Sequence, residues 1–120
     1  MDNKNELILI PKSEKYIQYM LEVILKLPRT EKFNIGNEYK LSMYKMLEYI
    51  LMLSKVNSIE KINYINKIDA NLNAQRIFLR IMYKNNWIDE KKFKVSSELI
   101  YEIGKILGGL LKFYGKNIKK

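Results

Sequence analysis

The sequence contains no cysteine and no histidine. Their absence excludes disulfides, the usual zinc and haem ligand sets, Cys–His or Ser–His nucleophilic catalysis and the Glu-x-x-His ligands of di-iron bundles, so no metal and no cofactor is expected. Proline is scarce, with only Pro11 and Pro28, so no proline breaks a helical pattern beyond residue 28. Linkers rich in Gly, Pro or Ser and repeats at solenoid spacing are also missing, so residues 1–120 read as one domain. The longest apolar run after the N-terminal stretch is residues 49–53, far below the roughly 20 residues that span a bilayer. The acid-bearing start leads into a short apolar run, Leu7 to Ile10, that ends at Pro11, which is not the pattern of a secretory signal. The expectation is a cytoplasmic chain with no membrane contact.

What is present is a hydrophobic share of 48% in 120 residues, enough for one continuous core. The formal charge of +9 is uneven: residues 1–60 carry nine cations against eight acids, and residues 61–120 carry thirteen against five. A basic half fits a polyanionic partner, because clustered cations release counterions from a phosphate backbone. Nineteen of the 22 cations are Lys, so a solvated basic surface in a lysine-rich chain stands as the competing explanation.

Apolar spacing predicts four helices, at about 13–27, 35–56, 58–85 and 89–113. Ser13 would cap the first, which shows Tyr16, Ile17, Met20, Leu21, Ile24 and Leu27 at helical spacing and stops at Pro28. A loop over residues 28–33 leads to Asn34 as the second cap, and Asn57-Ser58-Ile59-Glu60 reads as a capping box for the third helix. Asn85-Asn86 would end that helix, with Trp87 plugging the turn, and Gly115 would end the fourth. Short loops and no useful strand pattern give an all-α, up-down-up-down four-helix bundle.

The third helix is apolar on two sides. Ile65, Ile68, Leu72, Leu79, Met82 and Tyr83 form one, and Ala70, Ala74, Ile77, Phe78 and Ile81 the other. A bundle helix needs one such side, so Ile77, Phe78 and Ile81 are assigned to a homo-oligomer interface. A polar strip of Asn66, Asp69, Asn73, Arg76, Arg80 and Lys84 separates the two. Arg76 and Arg80 are two of only three arginines and stand one turn apart, a geometry suited to phosphates. With Lys84, Lys105 and Lys112 they are the candidate nucleic-acid contacts; the cations of the fourth helix and tail, Lys105, Lys112, Lys116, Lys119 and Lys120, are the second choice if the arginines fail, and pairing of the arginines with Asp69 or an acid of a neighbouring helix is the non-functional alternative. Glu98 and Glu102 form the best carboxylate pair, but without histidine or a polar pocket they read as surface partners of Lys94 and Lys105. No catalytic residue is assigned, and the chain is not expected to be an enzyme. Gly104-x-x-x-Gly108-Gly109 interrupts the fourth helix at roughly 1 kcal/mol per glycine, which implies close approach by a neighbouring helix of the same chain or of another copy.

Three stretches resemble the Avd family, the accessory variability determinants of diversity-generating retroelements. They are Leu27-Pro28-Arg29 running through Phe33 to Ile35-Gly36, then Asn71-Leu72-x-x-Gln75-Arg76-x-x-Leu79-Arg80, and finally Glu102-Ile103-Gly104-x-x-Leu107-Gly108-Gly109. A sister family of bundles, encoded in intervening sequences of ribosomal-RNA genes, shares the last segment. It carries a Ser-x-x-x-x-Ile-Ala-Glu-Gly signature in the second helix that this chain, with Met46 to Met52 there, lacks. The Avd resemblance implies a basic homopentameric ring or barrel of bundles that binds RNA or DNA and partners a reverse transcriptase in mutagenic retrohoming, with Arg76 and Arg80 at the matching basic positions. The ribosomal-RNA type of bundle and a protein-interaction scaffold are the alternatives.

Overall fold

A computed structural model describes residues 4–118, and every regular element in that span is helical. The elements are α1 (Lys4–Leu25), a one-turn α2 (Arg29–Lys32), α3 (Ile35–Met52) followed by a 3-10 turn (Leu53–Lys55), α4 (Ser58–Lys84) and α5 (Glu90–Ile118). The four long helices close a ring in the order α1, α3, α4, α5, each packed on its two neighbours. Contacts fix the directions. Along α3 and α4, Tyr39 meets Phe78 while Tyr49 meets Tyr64, so these helices are antiparallel. Along α1 and α5, Glu6 meets Tyr114 while Lys12 meets Glu102, and Tyr83 of α4 stacks on Phe93 of α5 at 4.3 Å. The result is an up-down-up-down four-helix bundle, 51 × 22 × 20 Å. Among the described residues no helix is long and apolar enough to cross a membrane.

The core sides are those set by the 3.6-residue period. Tyr16, Met20 and Ile24 from α1, Tyr39, Met43 and Met46 from α3, Ile65, Ile68 and Leu72 from α4, and Ile103, Leu107 and Leu110 from α5 are all buried. A polar chain threads this core. Tyr16 OH donates to Gln75 Oε1 at 2.6 Å and stands 2.6 Å from Tyr39 OH. Gln75 Nε2 donates to Ser42 Oγ at 3.1 Å, and Ser42 Oγ donates to the Asn71 carbonyl at 3.1 Å. Every polar atom of the Gln75 amide therefore has a partner, which is the condition for a buried amide to be tolerated. Burial pushes both tyrosine hydroxyls well above their ordinary pKa, so they stay neutral donors.

Several helix ends differ from the sequence reading. The first helix starts at Lys4, and Ser13 lies buried inside it with no hydrogen-bond partner for Oγ among the described residues. Pro11 does not break α1. It removes the donor for the Leu7 carbonyl, but both residues lie on an exposed face, where solvent is able to satisfy a freed carbonyl. Burial of Glu6 and Leu9 holds the extra turns in place. Part of the junction read as a loop is the short helix α2, and Asn34 does not cap α3 with its side chain; it donates to the Thr30 carbonyl instead. Gly36 follows because a Cβ there would stand 3.2 Å from the Glu31 carbonyl and 2.9 Å from Ile24. Asn57 does cap α4, accepting from the Glu60 amide at 3.0 Å. Asn86, at φ 61°, ends it with the Asn86 and Trp87 amides donating to Tyr83 and Met82. Asp89 caps α5 by accepting from the Lys92 amide, a bond that holds its carboxyl below the usual range. Gly115 does not stop α5, which continues to Ile118.

At the opposite end from Asn86, α1, α4 and α5 meet in a buried ion pair. Lys61 Nζ lies 3.0 Å from both carboxylate oxygens of Glu6 and donates to the Leu53 carbonyl at 2.6 Å. Tyr114 OH donates to the same carboxylate. The two charged side chains are only 8% and 5% exposed.

Candidate nucleic-acid interface

The polar strip of α4 is exposed except at Arg76, which is half-buried. It runs along the seam with α5. Arg76, Arg80 and Leu79 from α4, together with Phe93, Ser97, Ile100 and Tyr101 from α5, line a groove of 380 Å³. Farther along the same seam a smaller cleft is lined by Ile65, Asn66 and Asp69 across from Gly104, Leu107 and Gly108.

Gly104 explains how Arg76 sits. A Cβ at position 104 would stand 2.7 Å from Arg76 Nη2, so the guanidinium lies directly over the glycine. Its Nη1 donates to Asn73 Oδ1, and Asn73 in turn donates to Asp69 at 3.4 Å. The expected alternative of an Arg76–Asp69 ion pair is therefore not formed. Neither arginine pairs with a carboxylate among the described residues. Arg76 is half-buried and held on two sides, and Arg80 is exposed one turn on. Two guanidinium forks face the same groove with their charge unneutralised.

The other long groove beside α5 has the opposite character. Between α1 and α5 it is lined by Glu22, Glu98 and Glu102 with Lys15. Glu102 accepts from Lys12 of α1 at 3.0 Å rather than from Lys105, and that bond lowers its pKa. The two sides of α5 thus differ in charge, with arginines lining one groove and mostly glutamates the other.

Of the remaining candidate contacts, Lys84, Lys105 and Lys112 are exposed but do not line the Arg76–Arg80 groove. Lys112 stands instead beside Gly108, Gly109 and Phe113 near the end of α5, as does Lys116. Lys119 and Lys120 lie outside the described residues. Ile77 and Ile81 are 46% and 39% exposed on the outer side of α4. Phe78 departs from the interface assignment: it is partly buried in the α3–α4 seam, 6.1 Å from the Tyr39 ring. Its position, one residue on from Ile77, turns it about 100° toward α3. Tyr101, 66% exposed on the rim of the groove, and the buried Gln75 were not singled out as site residues from sequence, because tyrosines at helical spacing read as packing and polar residues as surface. Among the described residues no group of three or more Asp or Glu gathers at a possible metal site.

The glycines separate into two kinds. Gly104→Ala is expected to change stability by less than about 1 kcal/mol, because the helix-propensity gain offsets displacement of a flexible guanidinium. Gly108 has nothing within 4 Å, so Gly108→Ala should stabilise the fold by up to about 1 kcal/mol. Urea unfolding of both variants checks this; a clear loss at Gly108 would mean that another chain fills the space above it.

The motif that carries the groove also places the chain among relatives. In Asn71-Leu72-x-x-Gln75-Arg76-x-x-Leu79-Arg80, Leu72, Gln75 and Leu79 face the core while Arg76 and Arg80 face the groove. No curated protein sequence matches the chain significantly. The fold matches the crystal structure of a protein of unknown function from the S23 ribosomal protein family of Bacteroides thetaiotaomicron, with a TM-score of 0.82 at 14% identity over 90% of this chain and 98% of that one. The sequence model of the bAvd-like family matches residues 7–114, which include both the Pro28–Gly36 junction and the Gly104-x-x-x-Gly108-Gly109 segment, and the chain belongs to that family.

Proposed function

We propose that this chain is a non-catalytic nucleic-acid-binding subunit that assembles into a homo-oligomeric ring, a pentamer by resemblance to Avd, and works beside a retroelement reverse transcriptase. The observation that carries the reading is the unpaired Arg76–Arg80 groove on the more basic half of the chain. Phosphate oxygens suit two adjacent guanidinium forks that have no carboxylate to neutralise them. Membership of the bAvd-like family supports placing the polymerase chemistry in a partner. Exposed Ile77 and Ile81, one turn apart on α4, support burial against a second copy.

Light scattering on the purified chain tests the assembly. The expected mass is about five times the 14.4 kDa of one chain, rising when a nucleic-acid probe is added. Ile77→Glu with Ile81→Glu should reduce it to that of the monomer, since charges cannot be buried unpaired at a subunit contact. A wild-type monomer indifferent to the probe would defeat the reading, as would metal-dependent cleavage of the probe that is lost on mutating one carboxylate. A second reading, a bundle of the ribosomal-RNA gene type, rests on the likeness to the S23-family structure. A neighbouring reverse-transcriptase gene with a template repeat would decide for the first.

A further inference from the structure

We propose that the α4–α5 groove takes one unstacked base of a single-stranded nucleic acid, the base lying on Tyr101 and its flanking phosphates on Arg76 and Arg80. The proposal rests on the nucleic-acid reading above and adds the kind of strand that the groove selects. Three features of the groove carry it.

The first is shape and lining. At 380 Å³ the groove falls at the small end of ligand pockets, which span roughly 300–1,000 Å³. Leu79 and Ile100, almost fully buried, form its floor, and the half-buried Phe93 and exposed Tyr101 supply its accessible apolar surface. A flat, largely apolar base fits such a surface, whereas a bare inorganic anion gains nothing from it. The Ser97 hydroxyl, on the same wall, can donate to or accept from a base edge.

The second is Tyr101. It is 66% exposed, makes no ring contact with another aromatic or cation among the described residues, and stands on the rim of the groove. The other aromatic group of the groove, Phe93, already stacks on Tyr83. A free aromatic face next to paired guanidinium groups is the combination on which single strands bind, with stacking from the ring and phosphate attraction from the cations.

The third is preorganisation. The Asn73 side chain orients the Arg76 guanidinium over the space left by Gly104 before any ligand arrives, which reduces the side-chain entropy lost on binding. A base inside a duplex has both faces covered by its neighbours and could reach Tyr101 only after unpairing, at a cost of a few kcal/mol. The groove therefore favours strands whose bases are already unpaired.

Fluorescence anisotropy with a labelled oligothymidylate and a labelled duplex of the same length tests the proposal. Tyr101→Ala should weaken oligothymidylate binding about tenfold and leave duplex binding within about twofold, while Tyr101→Trp restores the single-strand affinity. Because Tyr101 is largely exposed, the alanine variant should keep its fold, which circular dichroism confirms in the same samples. Equal single-strand affinity of wild type and Tyr101→Ala, with both probes still bound, overturns this proposal alone. A change of oligomer mass in Tyr101→Ala would assign the groove to a second copy of the chain and overturn it as well. Failure of the wild type to bind either probe would instead remove the nucleic-acid reading on which it stands.

Discussion

Lys61→Met is expected to lower the unfolding free energy by about 3–5 kcal/mol, because it leaves the Glu6 carboxylate buried without its counter-charge. That is a large share of the roughly 5–15 kcal/mol that holds a domain together, and it corresponds to a fall in Tm on the order of 10–20 °C. The Glu6 side chain is 5% exposed, so water cannot replace the ammonium. The Leu53 carbonyl loses its donor in the same variant. The pair itself is a different matter from its halves: Glu6→Leu combined with Lys61→Met removes both charges and should recover much of the loss. Thermal unfolding followed by circular dichroism measures all three. A single Lys61→Met variant within about 1 kcal/mol of wild type would mean that this end of the bundle opens to water.

That ion pair also marks where sequence reading stops. The fold class was legible because Ile65, Ile68, Leu72, Leu79 and Met82 repeat at helical spacing and each is buried. The start of α1 was not, since a proline at position 11 reads as a stop, and only the tertiary contacts of Glu6 and Leu9 outweigh it. The end of α5 was missed for a related reason. Gly115 signals a terminus, but Tyr114 beside it is anchored on Glu6 from the far end of the chain. Contacts between residues so distant in sequence leave no local pattern.

The candidate site was half legible. Arg76 and Arg80 stood out by spacing and by the rarity of arginine, and Gly104 by its helix-propensity cost. That the three belong together, with the guanidinium of Arg76 resting on Gly104, follows only from the pairing of α4 with α5. Phe78 shows the converse. Helical spacing placed it with Ile77 and Ile81, yet proximity to Tyr39 draws it into the seam.

Arg76→Ala with Arg80→Ala should carry the largest effect on binding. If each subunit supplies about two phosphate contacts, a pentamer supplies about ten, and removing them should weaken binding by a factor on the order of a hundred or more at physiological salt. The loss should be alike for probes of unrelated sequence, because contacts to phosphate carry little sequence information. Lys at both positions should restore part of the affinity, since charge returns without the bidentate fork. Helicity and oligomer mass should stay unchanged, as neither arginine lies among the buried core residues or on the Ile77–Ile81 side.

The salt dependence of binding tests the central claim most directly. Log affinity of the wild-type oligomer for a duplex probe, plotted against log salt, should fall with a slope near −9 for about ten phosphate contacts, and for a single-stranded probe with a slope near −7. In the double alanine variant the slope should flatten by about 1 for each phosphate that no longer meets a guanidinium. A wild-type slope near zero, or an undiminished slope and affinity in the variant, would contradict the account and leave the groove an ordinary solvated seam between two helices.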